Sequence, residues 1–344
     1  MAVVGLHVSL NVFTPQHDDN WLQAEIIQGI CVFSVPVFFM ISGMNLFNYR
    51  QRYNLSTFFK HRVLKVGYAL LIGSIICYLL YSIFPNSFYG TDAFNSLTVY
   101  DFTKRFLTNG INDIYWFFYI IIGIYMLVPI LTHSANDTTT IKYILIVSFY
   151  VAIIIPMLEW FGVPAQAFSS LFNWPTFSMA LFYFTAGWWI FHWSIEEKIS
   201  RVVLAIAFIA STSLMILLGL YINGWWNANG MSSTYDRTLI IFSSPLCVIQ
   251  SLSLFALCRK FEAYLQVCSN MLKQIIRKLS SLSLGIYLFQ IPVINWFGMH
   301  NTPVILEFQP IKLAFIYIIT AALVWIAKSL IHYIKIFTIS IISS

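Results

Sequence analysis

The apolar residues of this chain come in long runs. IYWFFYIIIGIYMLVPIL (114–131) and VVLAIAFIASTSLMILLGLYI (202–222) hold no charged residue, and about 18 or more apolar residues in a row have the length of a membrane span. Along the whole chain the pattern predicts ten spans: 1–14, 24–48, 63–84, 114–133, 141–160, 174–193, 202–223, 238–258, 282–300 and 311–333. The expected fold class is all-α: a polytopic membrane protein of about ten transmembrane helices. It is expected to be a single transmembrane domain over 1–344, with no appended soluble domain.

Charge gives these spans an orientation. Hydrophobic residues make up 59% of the chain and charged residues 9%, against roughly 25% charged in a soluble domain. The net charge of +6 does not point to nucleic acid, because the basic residues are confined to a few stretches. They cluster at 50–65 (Arg50, Arg52, Lys60, Arg62, Lys65) and at 259–278 (Arg259, Lys260, Lys273, Arg277, Lys278), the pattern of cytoplasmic loops under the positive-inside rule. A cytoplasmic amino terminus leaves only Lys104, Arg105, Arg237 and the borderline Lys312 on the outer side. The five cysteines fall in spans or cytoplasmic segments and read as free thiols. The stretch 262–279 reads as an amphipathic helix on the inner membrane face or as a connector.

The first span is the misfit. Fourteen helical residues cover about 21 Å, short of the roughly 30 Å hydrocarbon core, and the segment lacks the basic region and cleavage site of a signal peptide. The expectation is that about ten or more residues, including a basic one, belong before Met1, and that a chain truly starting there is a shortened, weakly active copy.

Intramembrane ionisable groups are costly and mark functional sites. Spans four to nine hold almost none in their interiors, which weighs against an ion-coupled transporter. His7 stands out. His7, Asn11 and Thr14 fall at i, i+4 and i+7 and form one polar stripe on an apolar element. A neutral imidazole is the usual general base near physiological pH; packing between helices is the other reading. In SVPVFFMISGMNLF (34–47), Pro36 kinks the span and frees carbonyls, while Ser42 and Gly43 offer a small-residue surface for a ligand or another helix. Lys60, Arg62 and Lys65 are placed to hold phosphates, or simply to set topology. In the outer loops, Tyr89, Tyr100, Asp92, Asp101 and Asp113 of 85–113 and the GWWNANGMSSTYDR segment (224–237) put aromatic faces beside amides and carboxylates. That mixture suits a carbohydrate or a membrane-interface belt.

VVGLHVS, VPVFFMISG and FFKHRVLKVGYALLIGS, followed in order by DIYWFFYIIIGIYMLVPIL, LFYFTAGWWI, SSPLCVIQSLSLFAL and LSSLSLGIYLFQIPV, resemble acyltransferase family 3. These are integral-membrane O-acyltransferases of bacterial surface glycans, and the likeness is greatest to the stand-alone type that acetylates enterobacterial common antigen. The resemblance implies an enzyme of the bacterial cytoplasmic (inner) membrane that moves an acyl group, commonly acetyl, from cytoplasmic acyl-CoA to a hydroxyl of a surface or lipid-linked glycan. Acetyl-CoA or another acyl-CoA is then a donor substrate, with no permanently bound cofactor and no metal. A lipid-linked glycan flippase is the alternative from another class. By this resemblance His7 is the catalytic histidine, as general base or transient acyl carrier, and the family's basic partner would lie before Met1. Arg62 and Lys65, with Lys60 beside them, would bind the CoA phosphates. Trp116 shapes the site, and Gly285, Tyr287 and Gln290 fall in the G-I-Y-L segment, where Gln290 stands in place of a common histidine. Asp18 and Asp19 would orient the imidazole or meet the sugar, or lie in solvent.

Overall fold

The computed structural model describes residues 1–52, 54–90, 93, 94, 96–165, 179–228, 230–300 and 307–342, with the side chains of 263, 265, 266 and 331–342 outside the description. Among the described residues the regular elements are all helical and no strand occurs. The main helices are α1 (Ala2–Val8), α2 (Asp19–Cys31), α3 (Ser34–Leu46), α4 (Lys65–Ile83), α5 (Val99–Leu107), α6 (Trp116–Leu131) and α7 (Thr138–Phe149). They continue as α8 (Met179–His192), α9 (Arg201–Ile222), α10 (Pro245–Val267), α11 (Asn270–Met299) and α12 (Gln309–Ile342).

Helix occupies part of each of the ten expected spans. Among the described residues, seven stretches are long and apolar enough to cross a membrane: Asp19–Leu46, Leu55–Ile83, Asp113–Ser134, Thr138–Trp160, Arg201–Ile222, Asn270–Met299 and Gln309–Leu330. The protein is thus an all-α, multi-pass membrane protein. The other three expected spans differ for separate reasons. α1 has seven residues, α10 carries Arg259, Lys260 and Glu262 in its latter half, and positions 174–178 of the 174–193 span lie outside the described residues.

Prolines and caps explain most boundaries. The second span divides into α2 and α3 because Pro36 has no N–H and its ring crowds the carbonyl of Val32, four residues back. A π-helical turn at Tyr150–Ile154 precedes Pro156 in the same way, and another lies at Phe59–Leu64. α2 starts earlier than expected because the Asp18 carboxylate accepts from the Trp21 N–H at 2.7 Å, an N-cap. The eighth span begins only at Pro245, with Ser244 as its cap. The 85–113 loop contains α5, capped by Thr98, whose Oγ1 accepts from the Asp101 N–H at 3.1 Å. Asp92 lies outside the described residues. α10 and α11 run through 262–279 with a break at Cys268–Ser269.

Small residues set the tightest helix crossing. A Cβ on Gly43 of α3 would lie 1.7 Å from the Phe184 carbonyl oxygen of α8, and one on Gly187 would lie 2.1 Å from that of Met40. Only glycine permits backbones so close. Around the crossing Phe39, Met40, Phe47, Tyr183 and Phe184 are buried, and Phe47 stacks on Trp188 with centroids 5.6 Å apart.

The basic clusters share one end of the bundle. Arg50 contacts His133 at 3.0 Å, and the Trp188 indole N–H donates to the Ala135 carbonyl at 3.0 Å. At the same end Arg259 pairs with the buried Glu196 at 3.6 Å and lies over the Phe191 ring. At the other end His17 stacks on Trp225 with centroids 4.3 Å apart, and the Trp160 indole donates to Asp236 at 3.0 Å.

Candidate active site

α1 ends after two turns, so its last carbonyls need partners from outside the helix. α2 supplies the main one: Gln28 donates its Nε2 hydrogens to the Leu6 carbonyl at 2.8 Å and to the Ser9 Oγ at 3.0 Å. Ser9 in turn donates to the Gly5 carbonyl at 2.7 Å. The helix tightens there into a 3-10 turn, Leu10–Phe13, and the Trp21 indole donates to the Val12 carbonyl at 2.8 Å. Gly5 lets α1 lie against Cys31 and Ile27 of α2. This bracing holds the backbone that carries the half-buried His7.

His7 lines a cleft of about 480 Å³ between α1, the start of α2, the end of α11 and the start of α12. Asn11 and Thr14 line the same cleft, so the polar stripe of the sequence survives the change from α to 3-10 geometry. Asp18, Asn20, Trp21, Phe297, Glu307, Gln309 and Lys312 complete most of the wall. Gln309 reaches Asn11 Oδ1 at 3.5 Å, and its backbone N–H donates to Gln23 Oε1 at 3.0 Å. Asp18 caps α2 and also lines the cleft; Asp19 is exposed at the helix start.

On its other side His7 meets Gln290 of α11. Gln290 is fully buried and donates to the Tyr287 carbonyl at 3.3 Å. His7 Nδ1 and Gln290 Oε1 are both enclosed without a hydrogen-bond partner. Two such atoms cost about 1–3 kcal/mol each, and together they can accept a proton or a hydrogen bond from a reacting group. The Asp113 carboxylate lies within electrostatic reach of His7 and of Tyr287.

Gln290 and Tyr287 line a second cavity of about 240 Å³, walled by Val4, Val37, Ile286 and other mainly apolar residues. A third, of about 400 Å³, lies between α3, α4, α6 and α11 and includes Ser42, Val66, Ile121 and Tyr125. The two cavities share Phe38, Ile41, Ser283 and Tyr287. Tyr125 lines this cavity beside Ser42 and lies within electrostatic reach of Arg62. Arg62 is half-buried on the π-helical turn Phe59–Leu64, where Lys60 is exposed, and Lys65 follows as the first residue of α4, also exposed. π-helical turns recur at functional sites because the extra residue redirects the side chains after it.

The arrangement is a histidine–glutamine pair with a polar cleft beside the histidine and two mainly apolar cavities beside the glutamine, the farther one lined by Tyr125, which Arg62 approaches. A family model described as acyltransferase domain, that of acyltransferase family 3, matches residues 1–330. The chain belongs to this family. The protein is therefore a membrane acyltransferase. Comparison with the curated proteins finds no match, and neither does comparison with the solved structures.

The acyltransferase brings His7, Asn11, Ser42, Tyr287 and Gln290 to these cavities and puts two other candidates elsewhere. Gly43 sits at the α3–α8 crossing, against backbone. Trp116 stacks on Phe242 with centroids 5.7 Å apart and packs into the main core. Trp225 spends its face on His17 and Trp21, while Trp226 is exposed. Reading the sequence overlooked Glu25, which is fully buried and whose Oε2 accepts from the Tyr235 hydroxyl at 2.7 Å. It falls at the edge of the predicted second span and passes there for an interfacial residue. Glu307 and Gln309 were overlooked as well, since they stand far from His7 in sequence.

Proposed function

We propose that this acyltransferase moves an acyl group, acetyl in the simplest case, from acyl-CoA to a hydroxyl of a surface or lipid-linked glycan. The basic end faces the cytoplasm of a bacterial cell, the membrane is the inner one, and the amino terminus lies inside. The carrying observation is the position of His7, which borders the polar cleft on one side and meets Gln290, a wall of the nearer apolar cavity, on the other. Arg62, Lys65 and Lys60 would hold the CoA phosphates, Arg by paired hydrogen bonds and Lys as point charges. The cavity past Ser42 and Tyr125 would take the pantetheine arm and present the thioester. The cleft joins amide and hydroxyl groups (Asn11, Asn20, Gln309, Thr14) to the rings of Trp21 and Phe297, a pairing that suits the hydroxyls and C–H faces of a sugar.

In the reaction the acceptor oxygen attacks the thioester carbonyl carbon while its proton passes to the His7 imidazole. The carbon–sulfur bond then breaks, CoA leaves as thiolate and takes up a proton, and the ester remains on the sugar. Gln290 orients the imidazole or donates to the carbonyl oxygen.

The test is His7→Ala, with transfer of label from acetyl-CoA into the membrane glycan fraction measured at matched protein levels. General-base catalysis contributes roughly 10²–10⁴-fold, so a loss of that size is expected. Transfer at the wild-type rate would overturn the assignment.

A further inference from the structure

α11 contains a proline two residues beyond Gln290. Pro292 has no N–H, and its ring pushes on the carbonyl four residues back, so the Leu288 carbonyl loses its helical donor. Leu288 is buried, and a buried carbonyl left without a donor is costly. The missing bond comes from another helix. The Tyr115 hydroxyl, just before α6, donates to the Leu288 carbonyl at 2.8 Å. The Cys77 thiol of α4 lies 3.2 Å from the same hydroxyl and adds a long, weak bond of 4.0 Å to the Leu288 carbonyl, so the Tyr115 hydroxyl is its short, strong donor.

The contact is one half of a reciprocal pair. Tyr287, the residue before Leu288, donates its hydroxyl to the carbonyl of Ile114, the residue before Tyr115. Each segment therefore gives one hydroxyl and receives one, and the two are pinned in register. Gly73 makes room for the pair: a Cβ there would lie 2.8 Å from Leu288 Cδ2 and 3.4 Å from the Tyr115 oxygen. Tyr115 is itself almost wholly buried, so this bond spends its only polar atom. Gln290, whose amide donates to the Tyr287 carbonyl, is carried by the pinned turn.

We propose that Tyr115 is a positioning residue: its hydroxyl replaces the N–H that Pro292 lacks, and so holds the turn of α11 that sets Gln290 against His7. The proposal rests on the reading of His7 and Gln290 as the reacting centre. Tyr115 lines neither the cleft nor the two cavities; its ring packs on Phe118, a wall of the third cavity, so only the effect of its hydroxyl, which Y115F removes while keeping the ring, runs through the backbone of α11.

The experiment is a double-mutant cycle on the full-length protein in membranes, with Tyr115→Phe, Pro292→Ala and the pair. Label transfer from acetyl-CoA gives kcat and KM, and the apparent unfolding midpoint at a fixed scan rate gives a readout independent of turnover. Y115F removes the donor and keeps the ring. In the native background it is expected to lower kcat by about tenfold or more, since small misplacements of a reacting group are costly, with KM for acetyl-CoA unchanged. P292A returns a backbone N–H within reach of Leu288, so in that background Y115F is expected to cost less than about twofold in kcat and to shift the midpoint less. Equal costs of Y115F in both backgrounds, or no cost in the native one, overturn the proposal. The midpoint cycle judges the Tyr115–Pro292 link whatever His7 does, whereas wild-type transfer by H7A overturns instead the reading on which the proposal rests.

Discussion

Replacing Gly43 with alanine puts one methyl carbon 1.7 Å from the Phe184 carbonyl oxygen and 2.6 Å from its carbonyl carbon. Ordinary contact begins at 3.4 Å, so α3 and α8 must separate by about 1.7 Å along that line or bend away from each other. The opposing atoms are backbone and have no rotamer to retreat into. Overpacking of this kind costs about 1–3 kcal/mol, at times more, and the tight crossing of Met40 with Gly187 one turn away is strained by the same movement. α3 also carries Phe38, Ile41 and Ser42 into the cavity proposed for the donor, so KM for acetyl-CoA should rise with the loss of stability. The assay is the apparent unfolding midpoint in detergent at a fixed scan rate, because membrane-protein unfolding is often irreversible and a matched rate keeps comparison valid. Gly67→Ala is the control: no atom lies within 4 Å of its added Cβ, and alanine in a helix is favoured over glycine by about 0.5–1 kcal/mol, so its midpoint should stay or rise. A G43A midpoint equal to that of G67A, with only KM raised, would refute the crossing and restore Gly43 as a pocket residue.

Arg62→Ala is expected to raise KM for acetyl-CoA by about tenfold with little change in kcat, the worth of one charge-assisted contact. The effect should shrink as salt screens the phosphates; an unchanged KM at low salt removes Arg62 from the donor site. For the Glu25–Tyr235 pair, Tyr235→Phe should lower stability by about 1–3 kcal/mol, because it strips a buried carboxyl oxygen of its donor. Glu25→Gln, which keeps an acceptor oxygen, should be milder than Glu25→Ala, and thermal inactivation half-lives in that reverse order would count against the pair.

Much of the membrane architecture is legible without coordinates because hydrocarbon permits few solutions. A span must be long, apolar and internally hydrogen-bonded, so 114–131 and 202–222 announce helices by composition alone. Pro36 marks an interruption for an equally local reason, the missing N–H. His7 is visible because a polar stripe on an apolar helix is rare and costly. Less legible were Gly43 and Glu25. A glycine beside a serine looks the same whether it faces a ligand or a backbone, and a carboxylate at the edge of a span looks solvated until Tyr235, 210 residues away, is brought to it.

The sequence by itself determined that this chain is a bundle of apolar helices, which end is basic, and that His7 is the polar residue to watch; with the family match, it determined that the protein is an acyltransferase. These follow from local quantities: hydropathy over a window, helical spacing, the chemistry of single residues. Only the tertiary structure decided that Gln290 meets His7, that Gln309 closes the cleft over Asn11, that Arg62 approaches Tyr125, and that Tyr115 mends the gap left by Pro292. Each joins residues more than fifty positions apart. Such contacts arise from helix packing, in which small residues and paired hydroxyls choose the register, and no window along the chain contains both partners.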